Sequence, residues 1–195
     1  EAIPSYNRAL AIEQKNHLVW IGLGDALRTL EQYEGARKAY ETALLHAPET
    51  VAAFLGIGMV AFERANYPEA AEYCQNVLTI EPANLVALTL LGTTCIELKE
   101  YNRAIAAFDC ALAADKNFAP AISGKAAALC ELGSFPEALR LFKQALDLDP
   151  ALPDAWIGRG TALGKLGRHD VAMQAFDQAL ALNPDCAAAW YFEGP

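Results

Sequence analysis

The side chains best suited to nucleophilic, acid–base or metal chemistry are three histidines, His17, His46 and His169, and five cysteines, Cys74, Cys95, Cys110, Cys130 and Cys186. Nucleophilic catalysis needs a hydroxyl or thiol beside a base that a third group orients. None of the histidines stands in such a set. Zinc would need clustered thiolates and imidazoles, and there is no CxxC pair and no histidine next to a cysteine. An odd number of cysteines argues against a disulfide framework and fits a reducing cytosol. All five read as structural, Cys74 and Cys95 in core positions, with Cys130 the one placed to react. Gly22-Leu23-Gly24 and Gly56-Ile57-Gly58 fall inside helical patterns, where glycine serves close packing and not phosphate binding. The chain therefore reads as no enzyme, with no cofactor and no metal.

The elements that carry these residues are set by a period. Pro48, Pro82, Pro150 and Pro184 share one 34-residue register, with Lys116 in the remaining slot. Such a period means a stacked array of small units. In residues 17–50, apolar and small residues recur at Trp20, Leu23, Gly24 and Leu27, then at Ala36, Tyr40, Ala43 and Leu44. Spacings of three and four are helical faces, and Leu30-Glu31-Gln32-Tyr33 separates them. Each unit is thus a helix, a turn and a second helix. Gly133 and Gly167 suit left-handed caps, Pro68 and Pro136 suit first helical turns, and the periodic prolines are expected to stop the second helices. Gly24, Gly58, Gly92, Ala126 and Gly160 are expected to face Ala36, Ala70, Ala104, Ala138 and Ala172 so that the backbones approach.

The 195 residues are 54% apolar with a formal charge of -9, a folded composition whose acidity argues against nucleic acid. The most apolar run, Val51 to Phe62, is too short to span a bilayer, so no membrane is implied and the expected home is cytoplasmic. Glu1-Ala2 matches Glu69-Ala70 and Glu137-Ala138 in mid-repeat, so the chain is expected to be a piece of something longer.

Trp20-x2-Leu23-Gly24, Ala36-x3-Tyr40 and Pro48 resemble the tetratricopeptide repeat pattern, and several units share it. The resemblance covers nearly the whole chain as one array over residues 1–195. A partial repeat, the second helix, occupies 1–16. Full repeats follow at 17–50, 51–84, 85–118, 119–152 and 153–186, and a further one starts at 187–195. Cys74 replaces the aromatic, Val77 the alanine, Lys116 the proline, and Lys125 and Arg159 the leucine equivalent to Leu23. The resemblance implies an all-α fold, a right-handed α-solenoid of antiparallel helix-turn-helix repeats whose first helices line a concave groove.

On that expectation the groove is lined by Ile21, Leu55, Thr89, Ser123 and Ile157, then by Asp25, Met59, Thr93, Ala127 and Thr161, then by Arg28, Phe62, Ile96, Cys130 and Gly164. The family's carboxylate clamp for chaperone peptides is missing. Its asparagine ladder is missing as well, since that position reads Gly22, Gly56, Leu90, Gly124 and Gly158. What remains is an apolar stretch of Ala52, Leu55, Met59 and Phe62 beside Val86, Thr89, Thr93 and Ile96. It reads either as ordinary core or as a face covered by a partner's peptide or amphipathic helix. Glu63, Glu97 and Glu131 follow one residue after Phe62, Ile96 and Cys130 along one groove edge, with Lys165 ending the row. They read as a solvated edge or as steering for a partner with basic flanks.

Three functions stay open at this point: an interaction scaffold for a protein or peptide, the regulatory or docking array of a larger enzyme, and a structural element that self-associates end to end. The last rests on Ala187, Ala188, Ala189, Trp190, Tyr191 and Phe192, a helix start with nothing following to cover it.

Overall fold

The computed structural model describes residues 2–184. The chain divides into two compact units, Glu1–Leu98 and Lys99–Pro195, and every regular element among the described residues is an α-helix. The first unit holds α1 (Ala2–Ile12), α2 (His17–Thr29), α3 (Tyr33–His46), α4 (Val51–Glu63), α5 (Tyr67–Ile80) and α6 (Leu85–Glu97). The second holds α7 (Tyr101–Ala114), α8 (Ala119–Glu131), α9 (Phe135–Leu148), α10 (Pro153–Lys165) and α11 (His169–Leu182). The helices form an all-α helical-repeat solenoid fold. Cys186 and the apolar start at residues 187–195 lie outside the described residues.

Within the first unit α2 lies along α3, α4 along α5, and α5 against α6; within the second, α8 lies along α9 and α10 along α11. Successive first helices also touch, α2 with α4, α4 with α6, and α8 with α10. They form one face in each unit, and that face carries the candidate binding residues.

Each first helix ends in the same left-handed turn. The residue after the C-cap has positive φ at Glu31 (58°), Ala65 (56°), Lys99 (61°), Gly133 (78°) and Gly167 (73°). The next amide reaches back to close it, as Gln32 N–H donates to the Leu27 carbonyl (2.9 Å) and Asn66 N–H to that of Ala61 (2.8 Å). Glycine adopts this backbone freely, so the two glycine turns meet the sequence expectation, while three turns place a side chain where the backbone disfavours one.

A periodic proline is not required to stop a second helix. α7 ends at Ala114, in the same register as its neighbours, although Lys116 stands in the proline slot. Its C-cap Asp115 is extended (φ -138°) and accepts from the Asn117 amide at 2.9 Å, as Asp149 does from Ala151 at 2.9 Å beyond α9. An aspartate turn thus closes the helix alone after α7 and beside Pro150 after α9.

The packing between helices turns on aromatic rings seated against glycines. The Tyr40 side chain is fully buried, and a Cβ added at Gly24 or Gly56 would fall 2.6 or 2.4 Å from its ring. The same approach recurs between Gly22 and Tyr6 (2.7 Å), Gly124 and Phe108 (2.4 Å), Gly158 and Phe142 (2.3 Å), and Gly160 and Phe176 (2.7 Å). Gly24 and Gly160 therefore clear the aromatic ring of their own helix pair first, although Ala36 and Ala172 are buried beside them. Gly58, whose pair lacks the ring, does lie near the Ala70 carbonyl, at 3.7 Å.

Ala65 is exposed and bears the left-handed penalty with no hydrogen bond of its side chain in return. Ala65→Gly is expected to stabilise the chain by about 1 kcal/mol, read as a rise in the urea midpoint at constant slope. A lowered midpoint would contradict this account of the turn.

Candidate functional site

Helical spacing places the candidate residues on the first helices, and burial divides them. Ile21 and Ser123 are buried at 9% and 8% exposure. Ile21 packs with Ala36, Tyr40 and Ile57, so these two positions, expected to line a groove, present little to a ligand. One residue of this face is thus covered in α2 and one in α8.

In the first unit, Ala52, Val86 and Thr93 are exposed, and Leu55, Met59, Phe62, Thr89 and Ile96 are half-buried. Leu18, one period before Ala52 and two before Val86, is 65% exposed and extends the row onto α2. Sequence reading missed it. Its signal was the shared register with Ala52 and Val86. Phe62 meets the Tyr67 ring edge-on at 5.5 Å, which fixes its rotamer at the end of α4. Thr89 and Thr93 donate their hydroxyls to the carbonyls of Leu85 (2.6 Å) and Thr89 (3.0 Å), leaving methyl groups to continue the apolar strip. In the second unit Ala127, Cys130, Ile157 and Thr161 are half-buried.

Charge gathers at the α2 end of the first unit's face. The buried Tyr40 hydroxyl donates to Asp25 Oδ1 at 2.7 Å. Arg28 Nη1 donates to Glu63 Oε1 at 2.6 Å. Burial and the Asp25 carboxylate hold the Tyr40 phenol well above its ordinary range. Burial works against the Arg28 charge, but the hydrogen bonds and charges of Glu63 and Tyr40 together more than offset it, and the guanidinium stays firmly protonated. Asp25 is therefore held by Tyr40, and Arg28 and Glu63 by each other.

The glutamates of the edge do not stand alone in solvent. Glu131 Oε2 accepts from the Tyr101 hydroxyl at 3.4 Å. The phenols of Tyr67 and Tyr101 are raised, first by lost hydration and then by Glu97 and Glu131 respectively. Tyr33 is raised in the same way, with Glu63 the first charge to act on it. Each tyrosine lies 30 residues before its glutamate, and where that tyrosine becomes Phe135 the glutamate becomes Lys165. Tyr67 with Glu97 and Tyr101 with Glu131 thus form a hydroxyl–carboxylate link that reaches the end of the next first helix, and the row ends where the hydroxyl is lost. Glu63 has its charge matched by Arg28, whereas no cation among the described residues lies within ion-pair distance of Glu97 or Glu131.

Among the described residues no three His, Cys, Asp or Glu side chains converge as a metal site, and no helix is long and apolar enough to cross a membrane. Cys74 and Cys95 are buried at 1% and 0%, as expected of core positions. Cys110 is exposed, against the expectation that it is structural. Cys130 is half-buried, and burial together with Glu131 pushes its thiol up to about 11. At about pH 8 it holds about one thiolate in a thousand. Iodoacetamide at that pH is expected to label Cys110 well before Cys130, read by peptide mass mapping. Faster labelling of Cys130 would contradict the placement.

Models of the tetratricopeptide repeat match residues 21–84, and 61–129 with 129–193. No curated protein sequence matches. Among solved structures, YrrB, described as a tetratricopeptide repeat protein with an unusual peptide-binding site, is 22% identical. It aligns over 96% of this chain and 97% of its own with a TM-score of 0.65. A thermophilic tetratricopeptide repeat protein of Thermus thermophilus is 20% identical over 91% and 97% with a TM-score of 0.80. PilW, a type IV pilus biogenesis factor, is 22% identical over 98% and 89% with a TM-score of 0.83. The structural likenesses show the fold, and the sequence models, which between them span two thirds of the chain and more, show that it belongs to the tetratricopeptide repeat family.

Proposed function

We propose that the chain is a non-catalytic scaffold that takes a peptide or amphipathic helix of a partner protein on the first-helix face of residues 17–98. One observation carries this: α4 and α6 have no charged side chain before Glu63 and Glu97, yet Ala52, Val86 and Thr93 are exposed on them. A helix that is apolar all round is stable in water when every side is covered. Covering Leu55, Met59, Phe62 and Ile96 with a partner's apolar side chains would contribute about 25 cal/mol per Å² removed from water. Glu97, whose charge meets the Tyr67 hydroxyl and no cation among the described residues, favours a ligand with a basic residue flanking its apolar stretch. YrrB's peptide-binding site is in keeping with this class of ligand.

The test is capture of partners by cross-linking, followed by affinity for the peptides so identified. Val86→Asp with Thr93→Asp alters two exposed positions, and Leu55→Asp with Phe62→Asp alters the half-buried ones. Both pairs are expected to weaken binding by about tenfold or more, with helicity unchanged in the exposed pair. The same partners retained by the Val86→Asp, Thr93→Asp variant at the same affinity would overturn the proposal.

A further inference from the structure

A cavity of about 330 Å³ opens on the second unit between α10 and α11. Its origin is visible in the repeat register. The positions of Trp156, Arg159 and Ala175 are held in earlier pairs by Trp20, Leu23 and Ala39, by Phe54, Ile57 and Tyr73, and by Ile122, Lys125 and Leu141. In the first of these Leu23 fills the slot, buried with Leu10 and Ala39. In the second Phe54 and Tyr73 fill it ring to ring, 6.2 Å apart. In the third Leu141 fills it, buried with Ile122. Only the pair α10 and α11 combines the small Ala175 with a charged residue in place of the leucine.

Arg159 is also without the partner that its register supplies elsewhere. Lys125 pairs with Asp109, sixteen residues before it, at 2.7 Å. Sixteen residues before Arg159 stands Lys143, a like charge, which is paired with Asp147 on its own helix. The Arg159 guanidinium instead lies over the Trp156 ring, 5.4 Å from its centroid. No carboxylate among the described residues pairs with it. Asp177 lines the same cavity without an ion-pair partner among those residues, Val171 and Ala175 supply apolar wall, and Gln174 and Gln178 lie beside them.

We propose that this cavity is a binding site for a small zwitterion of the α-amino-acid class with an apolar side chain. Arg159 takes the carboxylate, Asp177 the ammonium group, and Trp156, Val171 and Ala175 the side chain. Opposite charges in one cavity, each without an ion-pair partner among the described residues, match the two ends of such a ligand, and the volume lies in the range of small-molecule sites. The reading is independent of the partner face, which lies on other helices.

The test is titration of the chain with free leucine and free phenylalanine, followed by the indole N–H resonance of Trp156 in heteronuclear NMR. Saturable shifts are expected with either zwitterion and not with the N-acetyl amide of the same residue, which lacks both charges. Arg159→Leu restores the residue found at Leu23 and is expected to keep the fold while weakening binding by about tenfold or more. Asp177→Asn, at an exposed position, is expected to act in the same direction. No saturable shift of the Trp156 resonance, or equal shifts from the uncharged amide, would overturn the proposal.

Discussion

The structure depends on an aromatic ring held between two glycines. Tyr40 is fully buried with Gly24 on one side and Gly56 on the other, both closer to its ring than any side chain could come. The ring thereby sets how far α2, α3 and α4 stand apart, and a methyl group at either glycine would force them to move, at a cost of about 1–3 kcal/mol. Phe108 with Gly124, Phe142 with Gly158 and Phe176 with Gly160 repeat the contact in the second unit. Because the ring lies behind the first helices, their opposite sides are left to form the face on which the apolar strip sits.

One helix pair solves the same problem differently. Cys74 stands where the ring would be, and Leu90 stands where the following glycine would be. The Leu90 side chain reaches within 3.6 Å of the point where a Cβ would lie at Gly58, so leucine from the next helix fills the space that a ring fills elsewhere. Volume is conserved across the contact while its source changes sides. α4 and α6, which bracket this substitution, are also the helices that lack charge. The polar links follow the same logic of local compensation: Tyr67 with Glu97 and Tyr101 with Glu131 change together to Phe135 and Lys165.

The repeat architecture was legible in the sequence because a 34-residue period multiplies every weak signal by the number of repeats. Helix starts at His17, Val51, Leu85, Ala119 and Pro153 fall one period apart. What escaped the sequence lay in contacts between residues far apart in number. Gly56 reads as a helix residue until Tyr40 is seen against it, and Glu63 reads as a free edge until Arg28 is seen beside it. Spacing predicts which side of a helix a residue occupies but not how deeply it is covered, as the buried Ile21 and Ser123 show. Prolines drew attention as helix stops, whereas Asp115 shows that the turn closes without one.

The central claim, that ring and glycine form one steric unit with Cys74 and Leu90 as its inverted form, is tested most directly by a double-mutant cycle. Cys74→Phe, Leu90→Gly and the combined variant would be compared with the parent by urea unfolding. Each single change is expected to destabilise by about 2 kcal/mol or more, the first by overpacking and the second by leaving a cavity. The pair together should recover at least about 1 kcal/mol of the summed loss. Simple additivity, within about 0.5 kcal/mol, would contradict the account.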